Sequence, residues 1–310
     1  MHLKERYLAF LLCGCAPVVV AQESPARTVK FVLAFPDGPV AELPLSHPQG
    51  ISVDSRGDVF VADTGNNRLL KFDARGKFIN AIGGFGWNRE EFDQPLALSV
   101  KSLLDVFVAD YNNERIERYD KDLNFISSFQ SSEDLEPTLQ FAFPVGVDIS
   151  KHGELFICDS ENDRVLKLNS FGEPILSFGG FNWGDGRLES PVRIDVTDSD
   201  VVYVTDGGSN DIVAFDYYGT FVTRFGGRNL NHPGGLAWAG DFLFVADSGN
   251  NRVVAFDRDY RLAVTWGSKG SMQGAFDNPV DVATYKDQTY VLDSDNSRIQ
   301  VFQLMDRSTH

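Results

Sequence analysis

Cysteine and histidine are scarce in this 310-residue chain, with three of the first and five of the second. Cys13 and Cys15 sit near the start, so Cys158 stands alone beyond them. A chain cut after Ala21 therefore has no intrachain disulfide available. Neither residue type recurs at zinc-ligand spacing, which removes a structural zinc site. Basic charge is also short: 28 Lys and Arg face 44 Asp and Glu, for a formal charge of −16. That excess repels polyphosphate and argues against a nucleic-acid partner. It says little about any other partner, being mainly a matter of solubility. Beyond the N-terminus no run approaches the roughly 20 apolar residues of a membrane span. No helical pattern of roughly 10–15 residues separates the apolar runs, which excludes a sheet of alternating strands and helices.

What is present begins with a leader. MHLKER is short and basic, YLAFLLCGCAPVVVA is apolar, and QESPAR resumes polar character. Residues 1–21 read as an export signal, and 22–27 as a short linker. Two processing routes stay open. Cleavage after Ala21 uses the small pair Val19 and Ala21; alternatively, Leu12-Cys13-Gly14-Cys15 resembles a lipobox with Cys15 as the lipidated residue. Either route gives an exported protein, secreted, periplasmic or attached to the envelope. A lipid anchor would be its sole link to a membrane.

The remaining chain is repetitive. Six units begin at Pro48, Pro95, Pro144, Pro191, Pro233 and Pro279. Each carries an aspartate closing an apolar run: Asp63, Asp110, Asp159, Asp206, Asp247 and Asp293. The offset is 15 residues in the first four units and 14 in the last two. Five units place an arginine five residues later, at Arg68, Arg115, Arg164, Arg252 and Arg298; the fourth has Asp211 there. Within a unit, short runs rich in Val, Ile and Phe alternate with Gly, Asn and Asp turn signals. The first reads GISV, DVFVAD, RLLKFD and KFINAIGG. Four antiparallel strands in a period of about 40–50 residues describe a propeller blade. The fold class is therefore all-β: a six-bladed β-propeller over residues 28–304, followed by a tail at 305–310.

The last unit stops at RIQVFQL, after its third strand. The missing strand stands before the first unit, in TVKFVLAFPDG, so the N-terminal segment is expected to complete the last blade and close the ring.

The elements P-x-G-I/V, V-x-V-A-D and N-N-R-V-x-x-F-D, in six registered copies, resemble NHL repeats. The resemblance implies a six-bladed propeller, in agreement with the count of units, and the proposed strand exchange is similar to the closure of such rings.

Residues that recur in every unit mark no single centre. The repeated aspartates are expected to accept amide hydrogens from the loop that follows, and the arginines to pair with a carboxylate. The fourth unit should then hold its loop differently. Phe72, Phe215 and Phe256 read as packing between blades, and Cys158 as a small buried residue in the place of Ala62, Ala109 and Ala246.

Functional information lies in what does not repeat. Trp87 and Trp183 occupy matching places in the connections GGFGWNREEFDQ and GGFNWGDGRLES. As exposed aromatics they would clasp a peptide or stack on a sugar; otherwise each plugs its own connection. The insertion QSSEDLEPTLQFAF, with Phe141 and Phe143, is either a rim flap or a plain loop. At the second position after the proline most units have a small residue, but Arg193 and Asp281 depart from this and are candidates to approach the axis, as a structural ion pair or as a ligand site for an anion and a cation.

The enzyme alternatives are weaker. Peptide-amidating lyases resemble NHL proteins and hold zinc with channel histidines, one directly after the inner-strand proline. Here that slot holds Gln49, Leu96, Val145, Val192, Gly234 or Val280. Lactonase-like propellers hold calcium through axial carboxylates, and Asp148, Asp195 and Asp281 are the candidates for such a site. No nucleophile elbow is present. The reading is a non-enzymatic scaffold that needs no cofactor and binds a protein or peptide, or else a carbohydrate, through its rim loops. The rival is a calcium-dependent lactonase- or esterase-like hydrolase with its site in the channel.

Overall fold

A computed structural model describes residues 27–306. The leader and its lipidation candidate Cys15 lie outside the described residues. Six four-stranded antiparallel sheets follow one another around an axis. In the first blade the strands are Gly50–Val53, Val59–Asp63, Arg68–Phe72 and Phe78–Gly83, counted from the axis outward. The sixth blade takes Pro279–Tyr285, Gln288–Asp293 and Arg298–Asp306 from the C-terminal end, and Arg27–Phe35 as its outer strand. Phe31 lies opposite Phe302, and Phe35 opposite Ile299. The ring closes as the sequence indicates. The pairing reaches Arg27 and Asp306, slightly beyond both expected limits.

The second strand of a blade is apolar on both faces because both faces pack against neighbouring blades. In the first blade, Val59 and Val61 join Leu292 and Ile299 of the sixth, while Phe60 and Ala62 join Val106 and Val108 of the second. Side chains alternate across a strand, so one strand feeds two inter-blade cores. Outer strands alternate instead between half-buried and exposed residues, as in Phe125–Gln130. The repeated phenylalanines pack between blades. Phe215 lies 4.9 Å from Phe178 of the third blade, and Phe256 lies 5.2 Å from Phe225 of the fourth. Cys158 is fully buried, and burial pushes its thiol well above the usual range.

The repeated aspartate and arginine form a latch. Arginine Nε donates to the aspartate at 2.6–2.9 Å in the five regular blades. Contrary to expectation, the aspartate does not collect backbone amides from the following loop. It accepts the backbone N–H two residues before the inner-strand proline, for example Ser46 at 2.7 Å and Asp277 at 2.7 Å. The loop contributes a side chain instead, as Asn66 does to Asp63. The arginine's terminal nitrogens reach carbonyls of the incoming connection: Arg115 donates to Trp87, Asn88 and Glu91. Each latch thus ties a blade to the chain arriving from the previous one. In the fourth blade Arg224, from the outer strand, donates to Asp206 at 3.0 Å and to Asp211 at 3.3 Å. A different strand supplies the guanidinium to the same carboxylate.

A second anchor accompanies the latch. Leu45, Phe92, Phe141, Leu188, Leu230 and Phe276 each stand three residues before a blade's proline, and all six are buried. Phe141, in the second-to-third insertion, is therefore a fixed plug rather than part of a flap.

Candidate binding surface and axial channel

Two faces follow from this topology. The connection face carries the outer-to-inner connections and the loops between second and third strands. The turn face carries the tight hairpin turns. On the connection face Trp87 is 74% exposed, with Phe85 beside it also exposed. Trp183 is 39% exposed, and its indole N–H donates to the carbonyl of Gly219 at 3.0 Å. The matching tryptophans thus have different settings. Gly186 stands where the first connection has Glu90. A Cβ at Gly186 would meet Phe221 at 3.0 Å, so glycine lets this connection lie on the next blade. Phe181, beside Trp183, and Met272, on the fifth-to-sixth connection, are also exposed.

Behind these loops the channel is shut. The Arg193 guanidinium donates to the carbonyls of Gln49 at 2.8 Å, Leu96 at 2.9 Å, Val145 at 2.7 Å and Val192 at 3.0 Å. These are the residues directly after the proline in four consecutive blades. Inner strands have no neighbour on the axial side, so their carbonyls need donors. One planar fork of donors serves all four. Its Coulombic partner is Asp281, yet Arg193 gives its terminal nitrogens to carbonyls and not to that carboxylate. Asp281 accepts the N–H of Ile51 at 2.9 Å and of Val282 at 2.8 Å. Burial pushes its carboxyl up to about 6, with Arg193 opposing the shift. A Cβ on Gly235 would fall 1.5 Å from Asp281 Oδ1, so only glycine leaves room for this carboxylate.

Farther along the axis, Asp148 and Asp195 perform the same bridging. Asp148 accepts the N–H of Val196 at 2.7 Å, and Asp195 that of Trp238 at 3.0 Å. Both are also ion-paired with Lys101, whose Nζ lies 2.6 Å from Asp148 and in contact with Asp195. Ser99 donates to Asp148 at 2.6 Å. Burial would lower the Lys101 pKa, but the two carboxylates outweigh it and hold the ammonium well above its usual range. Burial raises Asp195, with Lys101 opposing.

The three calcium candidates therefore fall into two groups. Asp148 and Asp195 converge on an ammonium, and Asp281 lies at the other level beside Arg193. Among the described residues no cluster of three or more His, Cys, Asp or Glu side chains is arranged to hold a metal ion. The described histidines stand away from the axis. His47 and His232 lie on connections, and His152 is on a hairpin turn against Asp200 and Tyr217. Lys101 escapes sequence reading because it sits in a turn outside the repeat register.

The NHL repeat family matches residues 45–72, the first latch included. With that match, the six blades define an NHL-type β-propeller. No curated protein matches the sequence. Solved structures share the architecture at low identity. Virginiamycin B lyase from Staphylococcus aureus is 15% identical, with a TM-score of 0.60 over 86% of this chain and 83% of that one. An auxiliary nutrient binding protein from Bacteroides ovatus is 12% identical, with a TM-score of 0.66 over 91% and 78%. A chain of a nidogen/laminin complex is 17% identical, with a TM-score of 0.57 over 72% and 81%. At such identities the likeness extends to the fold alone.

Proposed function

We propose that this NHL-type propeller is an exported, non-enzymatic scaffold that binds a protein or peptide through the loops of its connection face. The observation that carries the reading is the pairing of an exposed Phe85 and Trp87 on a connection loop with a channel shut behind that face by Arg193. Aromatic anchors supply most binding energy at protein interfaces, and loops on a rigid ring are where specificity varies. The nidogen/laminin relative is described as part of a protein complex, whereas the lyase is described as an enzyme. The side chains around this axis favour the former class, since the carboxylates on the inner strands are engaged in bonds between blades. The leader's composition supports export by either processing route, and mass spectrometry of the native N-terminus distinguishes a start after Ala21 from a lipidated Cys15.

The test is a binding screen of the purified chain against peptides and glycans, repeated with Trp87→Ala. A partner whose affinity falls about tenfold in the variant supports the reading. A peptide ligand supports it as stated, and a glycan ligand moves it to a carbohydrate partner. Stoichiometric calcium retained through dialysis, with lactone or ester hydrolysis abolished by chelation, contradicts it in favour of a hydrolase.

A further inference from the structure

Between the guanidinium of Arg193 and the ammonium of Lys101 the axis opens into a chamber of about 90 Å³. Its walls are about evenly polar and apolar, with inner-strand side chains such as Ile51, Leu98 and Val282 supplying the apolar part. Its polar groups at the shut end are Arg193 and Asp281. Arg193 is only 8% exposed; its terminal nitrogens are fully used, but its Nε–H is buried without a partner. A buried donor left unpaired carries its whole desolvation penalty, so the site calls for an acceptor. Asp281 accepts one N–H on each oxygen, and a carboxylate has sites for about four, so acceptor capacity remains nearby.

Charge and size select among ligands. The lining holds Asp148, Asp195 and Asp281 against Lys101 and Arg193, three anions to two cations. A further anion is opposed by that excess, and a cation meets the guanidinium. A neutral molecule with a carbonyl oxygen next to an N–H suits both groups. A cavity of about 150 Å³ takes benzene, so this one takes something smaller, of about four non-hydrogen atoms.

We propose that the chamber is a binding site for a small primary amide, of the acetamide or urea class, whose carbonyl accepts from Arg193 Nε and whose N–H donates to Asp281. Entry is from the turn face. Lys101, Asp195 and Trp238 line both the chamber and an open mouth of about 560 Å³ below it. The Lys101 side chain is 40% exposed and hangs on a flexible stem, so it can swing aside. Arg193 bars the route from the connection face, which makes this site independent of rim binding.

The experiment follows the Arg193 Nε–H resonance of the full chain by NMR during titration with acetamide, acetate and methylammonium. A ligand of this size binds in the millimolar range, so titrations run to about 100 mM. Acetamide is expected to shift the resonance saturably, with acetate and methylammonium at least about fivefold weaker. Asp281→Asn should weaken the acetamide response by a similar factor. Should that variant fold poorly, crystals of the unaltered protein grown with acetamide give the second reading, with the amide seated between Arg193 and Asp281. No saturable shift, equal responses to the three probes, or a chamber holding only ordered water in those crystals would overturn the proposal.

Discussion

The two ends of the axial channel hold the same charge in opposite ways. At the connection end a guanidinium rests on four neutral carbonyls from four blades; at the turn end an ammonium rests on two carboxylates from two blades. Carbonyl dipoles do not titrate, so those four bonds should be indifferent to pH. The second arrangement depends on charge, and burial holds the Asp195 carboxyl above its usual range against the pull of Lys101. The first is buried and lies across the axis like a stopper, and the second is part-exposed. One end is built as closure, and the other is the proposed entrance.

Removing each cation is the strongest way to break that comparison. Arg193→Ala strips donors from four carbonyls and leaves Asp281 uncompensated, which should cost about 3–5 kcal/mol. Chemical denaturation should show the part of that loss due to the four carbonyls unchanged with pH, and the part due to Asp281 shrinking as the pH falls through about 6. Lys101→Met should cost less, about 1–3 kcal/mol at neutral pH, because its site is part-exposed. That loss should shrink as the pH falls, since protonation of Asp195, whose carboxyl burial holds above its usual range, relieves the repulsion left behind. Equal pH dependence in the two variants would erase the distinction.

A third variant sharpens it. The folded carboxyl of Asp281 titrates near 6, above its unfolded value of about 3.9. The folded state therefore binds the extra proton, and this group's contribution is fully present below about pH 4 and lost as the pH rises through 6. Subtracting the stability profile of Asp281→Asn from that of the unaltered protein should reveal a slope of this sign, totalling roughly 2–3 kcal/mol. A slope of opposite sign would mean that Arg193 holds the carboxylate ionised. The smallest effects carry the contrast between fixed and free to the rim. Trp183→Ala should cost about 1–2 kcal/mol through its bond to Gly219, and Trp87→Ala no more than about 0.5 kcal/mol. Thermal unfolding resolves the pair, and reversed costs would make Trp87 the plug.

Much of this architecture was legible in the residues. The spacing of Pro, Asp and Arg marked six blades, and the absent last strand at RIQVFQL located its replacement near Phe31. The buried apolar residue three places before each proline was equally periodic. It is harder to see because it varies between Leu and Phe. The break at Asp211 announced a different latch. It could not name Arg224, since that side chain arrives from another strand with no repeat to mark it.

The axis was less legible. Arg193 stood out as an exception, but its partners are main-chain carbonyls, which every residue possesses and no side-chain pattern reveals. Asp148 and Asp195 were visible as carboxylates on inner strands. Their convergence on Lys101 depends on how a turn of the second blade leans over the channel. Trp87 and Trp183 share one motif and differ in setting, and one contributor is the position that holds Glu90 in one connection and Gly186 in the other, where a Cβ would crowd Phe221. Repeats inform on what all blades share, and the function resides where one blade departs.

The most direct measurement concerns the Arg193 guanidinium itself. In a free arginine the terminal N–H groups rotate and exchange quickly, so their NMR signals average and broaden. Held by four carbonyls, Arg193 should give separate, slowly exchanging Nη–H signals at neutral pH. Averaged signals for Arg193 would mean that the connection end is open, and that recognition at that face is not confined to the loops.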